Sequence, residues 1–103
     1  MPVIAKFVYE IKPGRMEDFM AKLRTAADKK FVSPVMPDSV RLFNQAVAGP
    51  DTRCITMLIE YPDMAAYGAR TDYERTNPEW RNLFAEKADS PERFVSVELL
   101  TEI

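Results

Sequence analysis

The sequence predicts an α+β fold in which one antiparallel sheet carries its helices on one face. Three observations predict it: short segments with a strand pattern, two helical regions between them, and the chain order β-α-β-β-α-β. Short strands that alternate with two helical regions in this order are typical of a ferredoxin-like sheet. A chain of 103 residues is long enough for one domain with its own core. We therefore expect a single domain over residues 1–103.

The first half of the chain is predicted to form a strand, a helix and a second strand. Apolar and polar residues alternate over residues 3–12, which is the pattern of a half-buried strand, and a Pro-Gly pair ends it. A helix is expected from Arg15, because apolar residues then recur at helical spacing. Two prolines stiffen the loop at residues 33–39, and residues 40–48 are predicted to form the second strand.

The second half is predicted to contain the third strand, a split helical region and the last strand. Residues 53–61 include the most β-like run of the chain, and Pro62 stops it. Asp63 is a suitable N-cap for a helix. Asn77, followed by a proline, caps a second helix in the favoured order. A last strand is expected over residues 93–103.

The charge pattern of the chain argues against several classes of partner. The formal net charge is −2, and 14 Lys and Arg residues are scattered among 16 Asp and Glu residues without a basic stripe. Such stripes mark proteins that bind nucleic acids or membrane surfaces, so neither is expected as a partner. No apolar run is long enough to span a bilayer, and the start lacks the segments of a signal peptide.

The chain has no histidine and only one cysteine, Cys54. Histidine is the commonest metal ligand, the usual general base at neutral pH and the usual haem ligand. We therefore expect no metal and no cofactor. A single cysteine cannot form an internal disulfide, which fits a cytoplasmic location. Without a histidine partner, Cys54 is interpreted as a buried thiol and not as a nucleophile.

The predicted strands also carry apolar residues on their second face, which the helices would not cover. These residues are Val8, Leu58, Phe94 and Leu100. A sheet that exposed all of them would tend to aggregate. A second copy that packs sheet to sheet would cover them, so we expect a homodimer.

Four short segments carry a pattern that is found in other proteins. They are Tyr9-Glu-Ile-Lys-Pro-Gly, Glu60-Tyr, Asp63-Met-Ala-Ala-Tyr and Asn77-Pro-Glu-Trp. With the order of the elements, they resemble the dimeric α+β barrel superfamily and, within it, NIPSNAP-like proteins. The resemblance implies a dimer whose paired sheets enclose small-molecule pockets. It implies no single activity, because relatives range from cofactor-free monooxygenases of polyaromatic substrates to haem-degrading enzymes, isomerases and proteins of unknown role.

Four charged residues are candidates for catalysis. Glu10 and Glu60 come late on strands that this fold places side by side, so we expect their carboxylates to lie close together. Two close carboxylates in a partly apolar pocket raise the pKa of one of them, which makes a general acid or base without histidine. Arg41 and Arg53 are expected to orient an anionic oxygen. The alternatives are carboxylates solvated or ion-paired at a rim, and arginines that protect an exposed strand edge.

Seven further residues are candidates for ligand binding, on the second sheet face or at the break in the helical region. They are Thr56, Leu58, Phe94, Glu98, Tyr67, Tyr73 and Trp80. The first four are expected on the face turned away from the helices. The three aromatic residues flank the helix break, where a pocket mouth can form. For Trp80 the alternative is core packing, since an aromatic residue in the first turn of a helix normally anchors that helix on the sheet.

The function that these observations favour is binding of a small apolar or aromatic molecule in a pocket between sheet and helices. The first alternative is a cofactor-independent monooxygenase, cyclase or isomerase, in which Glu10 or Glu60 moves a proton and Arg41 or Arg53 stabilises an oxyanion. The second alternative is an interaction module whose dimer space is filled core. A tautomerase that uses Pro2 as its base is disfavoured, because that superfamily repeats its β-α-β unit.

Overall fold

The computed structural model describes residues 1–45, 47, 49 and 53–103. In this part of the chain the strands are β1 (Val3–Ile11), β2 (Ser39–Asn44), β3 (Cys54–Tyr61) and β4 (Glu92–Thr101). The helices are α1 (Met16–Ala26), α2 (Met64–Thr76) and α3 (Pro78–Phe84), with a short 3-10 turn at Lys29–Phe31. The sheet order is β2-β3-β1-β4, and every neighbouring pair is antiparallel. The predicted ferredoxin-like α+β fold is confirmed.

The element bounds differ from the predicted ones mainly at β2. This strand ends at Asn44, and the predicted continuation to residue 48 includes residues 46 and 48, which lie outside the described part of the chain. Strand β4 begins one residue earlier than expected and ends at Thr101.

In the part of the chain that the structure describes, no helix is long and apolar enough to cross a membrane.

Both predicted helix caps are confirmed, and together they shape the helical region. The Asp63 side chain accepts from the backbone N–H of Ala66 at 2.8 Å. The Asn77 side chain accepts from the N–H groups of Glu79 and Trp80, at 3.0 and 3.1 Å. Because Asn77 has extended backbone angles, α2 ends there and α3 begins in a new direction. Each cap contributes about 1 kcal/mol.

The core lies between one face of the sheet and the helices. Its buried centre consists of Tyr9, Phe19, Ile55 and Met57. Tyr9 is paired with Ile55 across β1 and β3, and the Phe19 ring of α1 lies 5.4 Å from that of Tyr9. Alternation along β1 and β3 therefore places the helix-covered face as the sequence pattern predicts.

A β-bulge in β4 overturns the predicted position of Phe94. Val8 is paired with Ser96, whereas its neighbour Tyr9 is paired with Phe94, so Val95 is an extra residue in β4. An extra residue reverses the alternation of faces beyond it. Phe94 consequently lies on the helix side of the sheet, with its ring 5.8 Å from the Tyr9 ring. Strict alternation wrongly placed it on the opposite face with Leu100.

Candidate functional site

An open cleft of about 760 Å³ lies between the sheet and helices α2 and α3. Phe7 and Val97 contribute from the sheet. The helical side contributes Tyr67, Glu74, Trp80 and Phe84, among others. The volume falls within the range of about 300–1000 Å³ that is typical of small-molecule sites, and such sites are mostly apolar with a few polar groups.

The sheet side of the cleft is an apolar patch that the helices leave partly uncovered. Phe7 and Val97 face each other as a cross-strand pair of β1 and β4. The Phe7 ring is nearly parallel to that of Tyr9, at 6.3 Å between centroids. Val97 is nevertheless 43% exposed. A flat molecule that covered this pair would remove apolar surface from water, which is favourable.

Trp80 forms the aromatic wall on the helical side, and three neighbours hold it. Its ring lies edge-on to Phe31 at 5.2 Å and tilted against Phe84 at 4.9 Å. The guanidinium of Arg70 lies 5.1 Å from the ring centroid. The Asn77 cap fixes the backbone from which the side chain starts. Trp80 therefore packs against the interior and also lines the cleft, so it is placed both for core packing and for ligand contact.

Arg70 organises this region, although no sequence pattern indicated such a role. Only 2% of the residue is exposed. Its Nη1 donates to the Phe31 carbonyl at 2.8 Å and to Ser33 Oγ at 3.1 Å, and its Nε donates to Glu74 Oε2 at 2.9 Å. A buried charge must be paired and hydrogen-bonded to be tolerated. Arg70 thus connects α2, the 31–33 segment and the wall of the cleft.

Glu74 is the carboxylate of the cleft, and it too was missed. Burial raises its pKa, while the hydrogen bond and the positive charge of Arg70 lower it; burial is the larger effect. The side chain is 27% exposed, toward the cleft that it lines. The only sequence signal is an Arg–Glu pair at i, i+4, which is also the common pattern of a solvent-exposed helix face.

A second buried ion pair lies behind the cleft. Lys22 Nζ of α1 donates to Glu92 Oε2 at 2.7 Å, with side chains 10% and 5% exposed. The same ammonium lies 5.5 Å from the centre of the Phe84 ring. Burial, and then the negative charges of Glu92 and Glu74, raise the pKa of Tyr9 to about 12. The Tyr9 phenol is therefore protonated at neutral pH, on the core side of the cleft.

The predicted carboxylate pair of Glu10 and Glu60 does not form. Glu10 is paired with Cys54, and Glu60 is paired with Ile4, at the other end of the same two strands. Glu60 lies six positions beyond Cys54 along β3, which corresponds to about 20 Å. Positions late on both strands coincide only when the strands are parallel, and these are antiparallel. Glu10 instead accepts from Arg93 Nε at 3.1 Å on the surface.

Arg41 and Arg53 are not brought together either. Arg41 is paired with Leu58 on β3, five residues along the chain from Arg53. Its guanidinium lies over the Phe43 ring at 5.1 Å. Arg53 is exposed and has a backbone φ of 74° just before β3 begins. The four predicted catalytic residues thus do not form one site.

The family model of NIPSNAP matches residues 7–96. This chain belongs to the NIPSNAP family. The match covers nearly the whole chain and confirms the resemblance that its four short segments carry. Among curated proteins, no sequence match reaches significance.

Three of the similar solved structures illustrate the NIPSNAP chain's fold. A NIPSNAP family protein from Agrobacterium tumefaciens str. C58 has a TM-score of 0.70 at 10% identity, covering 99% of this chain and 86% of that one. Rv0793 from Mycobacterium tuberculosis has a TM-score of 0.67 at 18% identity, covering 100% and 96%. A proposed antibiotic biosynthesis monooxygenase from Bordetella bronchiseptica has 0.66 at 18% identity, covering 99% and 97%. At these identities the likeness shows the fold alone.

The predicted ligand-binding residues of the NIPSNAP chain separate into distinct groups. Tyr67 and Trp80 line the cleft. Tyr73 lies beside it, where its hydroxyl accepts from Asn77 Nδ2 at 3.1 Å and donates to the Lys30 carbonyl at 3.3 Å. The remaining predicted residues lie away from the cleft lining. They are Thr56, Leu58 and Glu98 on the sheet face away from the helices, and Phe94 beside Tyr9.

Metal ligands do not cluster in the described part of the NIPSNAP chain. Within residues 1–45, 47, 49 and 53–103, no group of three or more Cys, Asp or Glu side chains is arranged to hold a metal ion. The charged groups that line the cleft are instead a carboxylate, Glu74, and the arginines Arg75 and Arg81. These groups can accept or donate hydrogen bonds to an organic molecule.

Proposed function

We propose that this NIPSNAP-family protein is a homodimer that binds a small apolar or aromatic molecule in the cleft between the sheet and helices α2 and α3. The observation that carries the proposal is the combination of an uncovered apolar floor and a fixed aromatic wall. Val97 on the floor is 43% exposed, and Trp80 is held by Phe31, Phe84 and Arg70. A rigid wall lowers the entropic cost of binding, because little has to be ordered when the ligand arrives.

The surface area of the chain supports the dimer. A folded monomer of 11.8 kDa has about 5900 Å² of accessible surface. This chain has 6931 Å², which exceeds that figure by about 1000 Å². A standard interface removes about 800 Å² from each partner. The excess is therefore of the size that a second copy would cover.

The second copy belongs on the sheet face away from the helices. Phe43 and Leu100 lie on this face, because their strand partners are Thr56 and Ile4, and they are 37% and 41% exposed. Lys6 and Glu98 form a cross-strand pair of opposite charge on the same face. An apolar surface with charges of both signs can pack against its own copy. In a twofold arrangement the same face of each subunit meets the other, and a charge of one sign can lie opposite a charge of the other sign.

Native mass spectrometry of the protein purified from its own host tests this proposal. We expect a dimer mass together with the mass of a co-purified small molecule, which is released when the protein is denatured. A dimer that never carries a bound molecule, even after incubation with apolar aromatic compounds, would contradict the binding function. A monomer at micromolar concentration would contradict the dimer.

One observation favours a second function, that of an enzyme that moves a proton on its ligand. Such an enzyme requires a carboxylate of altered pKa that faces the cavity, and Glu74 has both properties. In this version Glu74 takes the role that the sequence assigned to Glu10 or Glu60. The test is to incubate the co-purified compound with the protein in D₂O. Exchange of a carbon-bound hydrogen by wild type but not by Glu74→Gln supports the enzyme, and equal exchange in both contradicts it.

A further inference from the structure

The carboxylate of the cleft, Glu74, lies on α2 together with Thr71 and Arg75, which also line the cleft. Glu74 Oε2 accepts from Arg70 Nε at 2.9 Å, which is the one hydrogen bond to this carboxylate among the described residues, and the side chain is 27% exposed. Glu74 lines the cleft, whereas Arg70 is buried behind it. An ionised carboxylate accepts hydrogen bonds and cannot donate them. The cleft therefore presents a carboxylate acceptor to a molecule that enters it.

The surroundings of this acceptor set the shape of its partner. Trp80 and Phe84 form an aromatic wall, and Phe7 and Val97 form an apolar floor. A flat ring fits between such surfaces by stacking and by apolar burial. The ring must also satisfy the acceptor, because a carboxylate that loses water and gains no hydrogen bond costs free energy.

We infer that the ligand of this cleft is a planar aromatic molecule with a hydroxyl group that donates a hydrogen bond to Glu74 while its ring lies against Trp80. This inference rests on the proposed function, because it specifies the ligand of the same cleft. Arg70 is a positioning residue in it. The same guanidinium donates to Glu74 and lies 5.1 Å from the Trp80 ring, so it sets the acceptor and the wall in relation to each other.

The pKa of Glu74 agrees with this arrangement. Burial raises it against the opposing effect of Arg70, so the ionised carboxylate is less favourable here than in water. A hydrogen bond from a ligand hydroxyl would stabilise the ionised form and reverse part of that effect. Ionised Glu74 is thus unfavourable for stability on its own, and a bound hydrogen-bond donor would make its ionised form more favourable.

The test compares two probes of the same ring, 2-naphthol and 2-methoxynaphthalene. They differ in that only the first can donate a hydrogen bond. Affinity is measured by titration calorimetry at pH 7. The position of the probe is read from the indole N–H resonance of Trp80 in ¹H–¹⁵N spectra, which is unambiguous because the chain has a single tryptophan. The comparison works on wild-type protein alone, so it does not depend on the folding of any variant.

A hydrogen bond to a charged acceptor changes affinity by about tenfold or more. We therefore expect 2-naphthol to bind at least about tenfold more tightly than 2-methoxynaphthalene, with a shift of the Trp80 resonance. Glu74→Gln should remove this preference, because the amide oxygen stays with Arg70 and the amide N–H₂ turns to the cleft. The matched control is Glu79→Gln, on the surface of α3 and outside the cleft, which should keep the preference.

The other outcomes overturn the inference at different levels. If both probes shift the Trp80 resonance and bind wild type with equal affinity, the inference is wrong and the proposed binding function stands. If Glu79→Gln also removes the preference, Glu74 is not the acceptor. If neither probe shifts the Trp80 resonance at concentrations up to the solubility limit of the probe, the inference and the proposed function both fail.

Discussion

The guanidinium of Arg70 lies 5.1 Å from the centre of the Trp80 ring, in a chain of 103 residues whose only tryptophan this is. The contact joins a nearly fully buried charge to the wall of an open cleft. Because Arg70 also donates to the Phe31 carbonyl and to Glu74, three separate segments depend on one side chain. Changes at this position should therefore affect both stability and the cleft.

Replacing Arg70 with methionine, which keeps an unbranched apolar stem and removes the charged guanidinium, should lower the free energy of unfolding by about 2–3 kcal/mol. The reason is that the Phe31 carbonyl loses its donor and Glu74 loses its counter-charge. Urea denaturation measures the effect. The matched control is Arg75→Met, which breaks an ion pair with Asp72 whose side chains are about three-quarters exposed. That change should cost less than about 0.5 kcal/mol, and equal losses in the two variants would contradict the role of Arg70.

The pKa of Glu74 predicts how its replacement changes stability with pH. The pKa is raised above 4.5 in the folded chain, mainly by burial. Its contribution to stability is therefore fully present below pH 4.5 and is lost as the pH rises through the folded value. Glu74→Gln should gain stability relative to wild type between pH 4 and pH 7. Urea denaturation across this range is the measurement. A variant whose free energy of unfolding falls relative to wild type as the pH rises would contradict the raised pKa.

The buried pair of Lys22 and Glu92 should show strong coupling. Lys22→Met leaves the Glu92 carboxylate without its counter-charge, and Glu92 Oε1 already has no hydrogen-bond partner among the described residues. We expect this change to cost about 3 kcal/mol or more. The double variant with Glu92→Leu should recover much of the loss, because it removes the stranded charge. A double-mutant cycle tests this, and additive losses would show that the two groups do not interact.

The proposed dimer face predicts a position-specific effect on assembly. Leu100→Glu adds a charge to the sheet face away from the helices, whereas Met64→Glu adds one to an exposed position at the start of α2. Desolvating a new charge at an interface is costly, so the first variant should weaken the dimer at least about tenfold. The second should leave it unchanged. Sedimentation velocity over a concentration series decides between these outcomes.

Local chemistry made much of the fold predictable. Asp63 and Asn77 were identified as caps because a short polar side chain before a helical pattern can satisfy the free N–H groups of the first turn. Alternation along β1 identified the face that packs on the helices, and this face contains Tyr9. These signals are readable because each depends on residues that are close in the sequence.

The errors arose where the outcome depends on pairing between distant segments. The extra residue Val95 moved Phe94 to the other face, and nothing in the β4 sequence marks a bulge. Glu10 and Glu60 were expected to meet, although antiparallel pairing places them at opposite ends of two strands. The Arg70–Glu74 pair has an ordinary surface pattern, and only tertiary packing buries it. The fold was therefore largely predictable, and the polar part of the cleft was not.

The most direct test of the central claim is to fill the cleft and measure what the protein still carries. Val97→Trp places a bulky ring on the cleft floor, and Val95→Trp makes the same change on β4 outside the cleft. The two valines are similarly exposed, at 43% and 40%, which makes the second variant a matched control. Native mass spectrometry reports the bound fraction. We predict that wild type and Val95→Trp carry the co-purified molecule and that Val97→Trp does not. Equal occupancy in all three would contradict binding in this cleft.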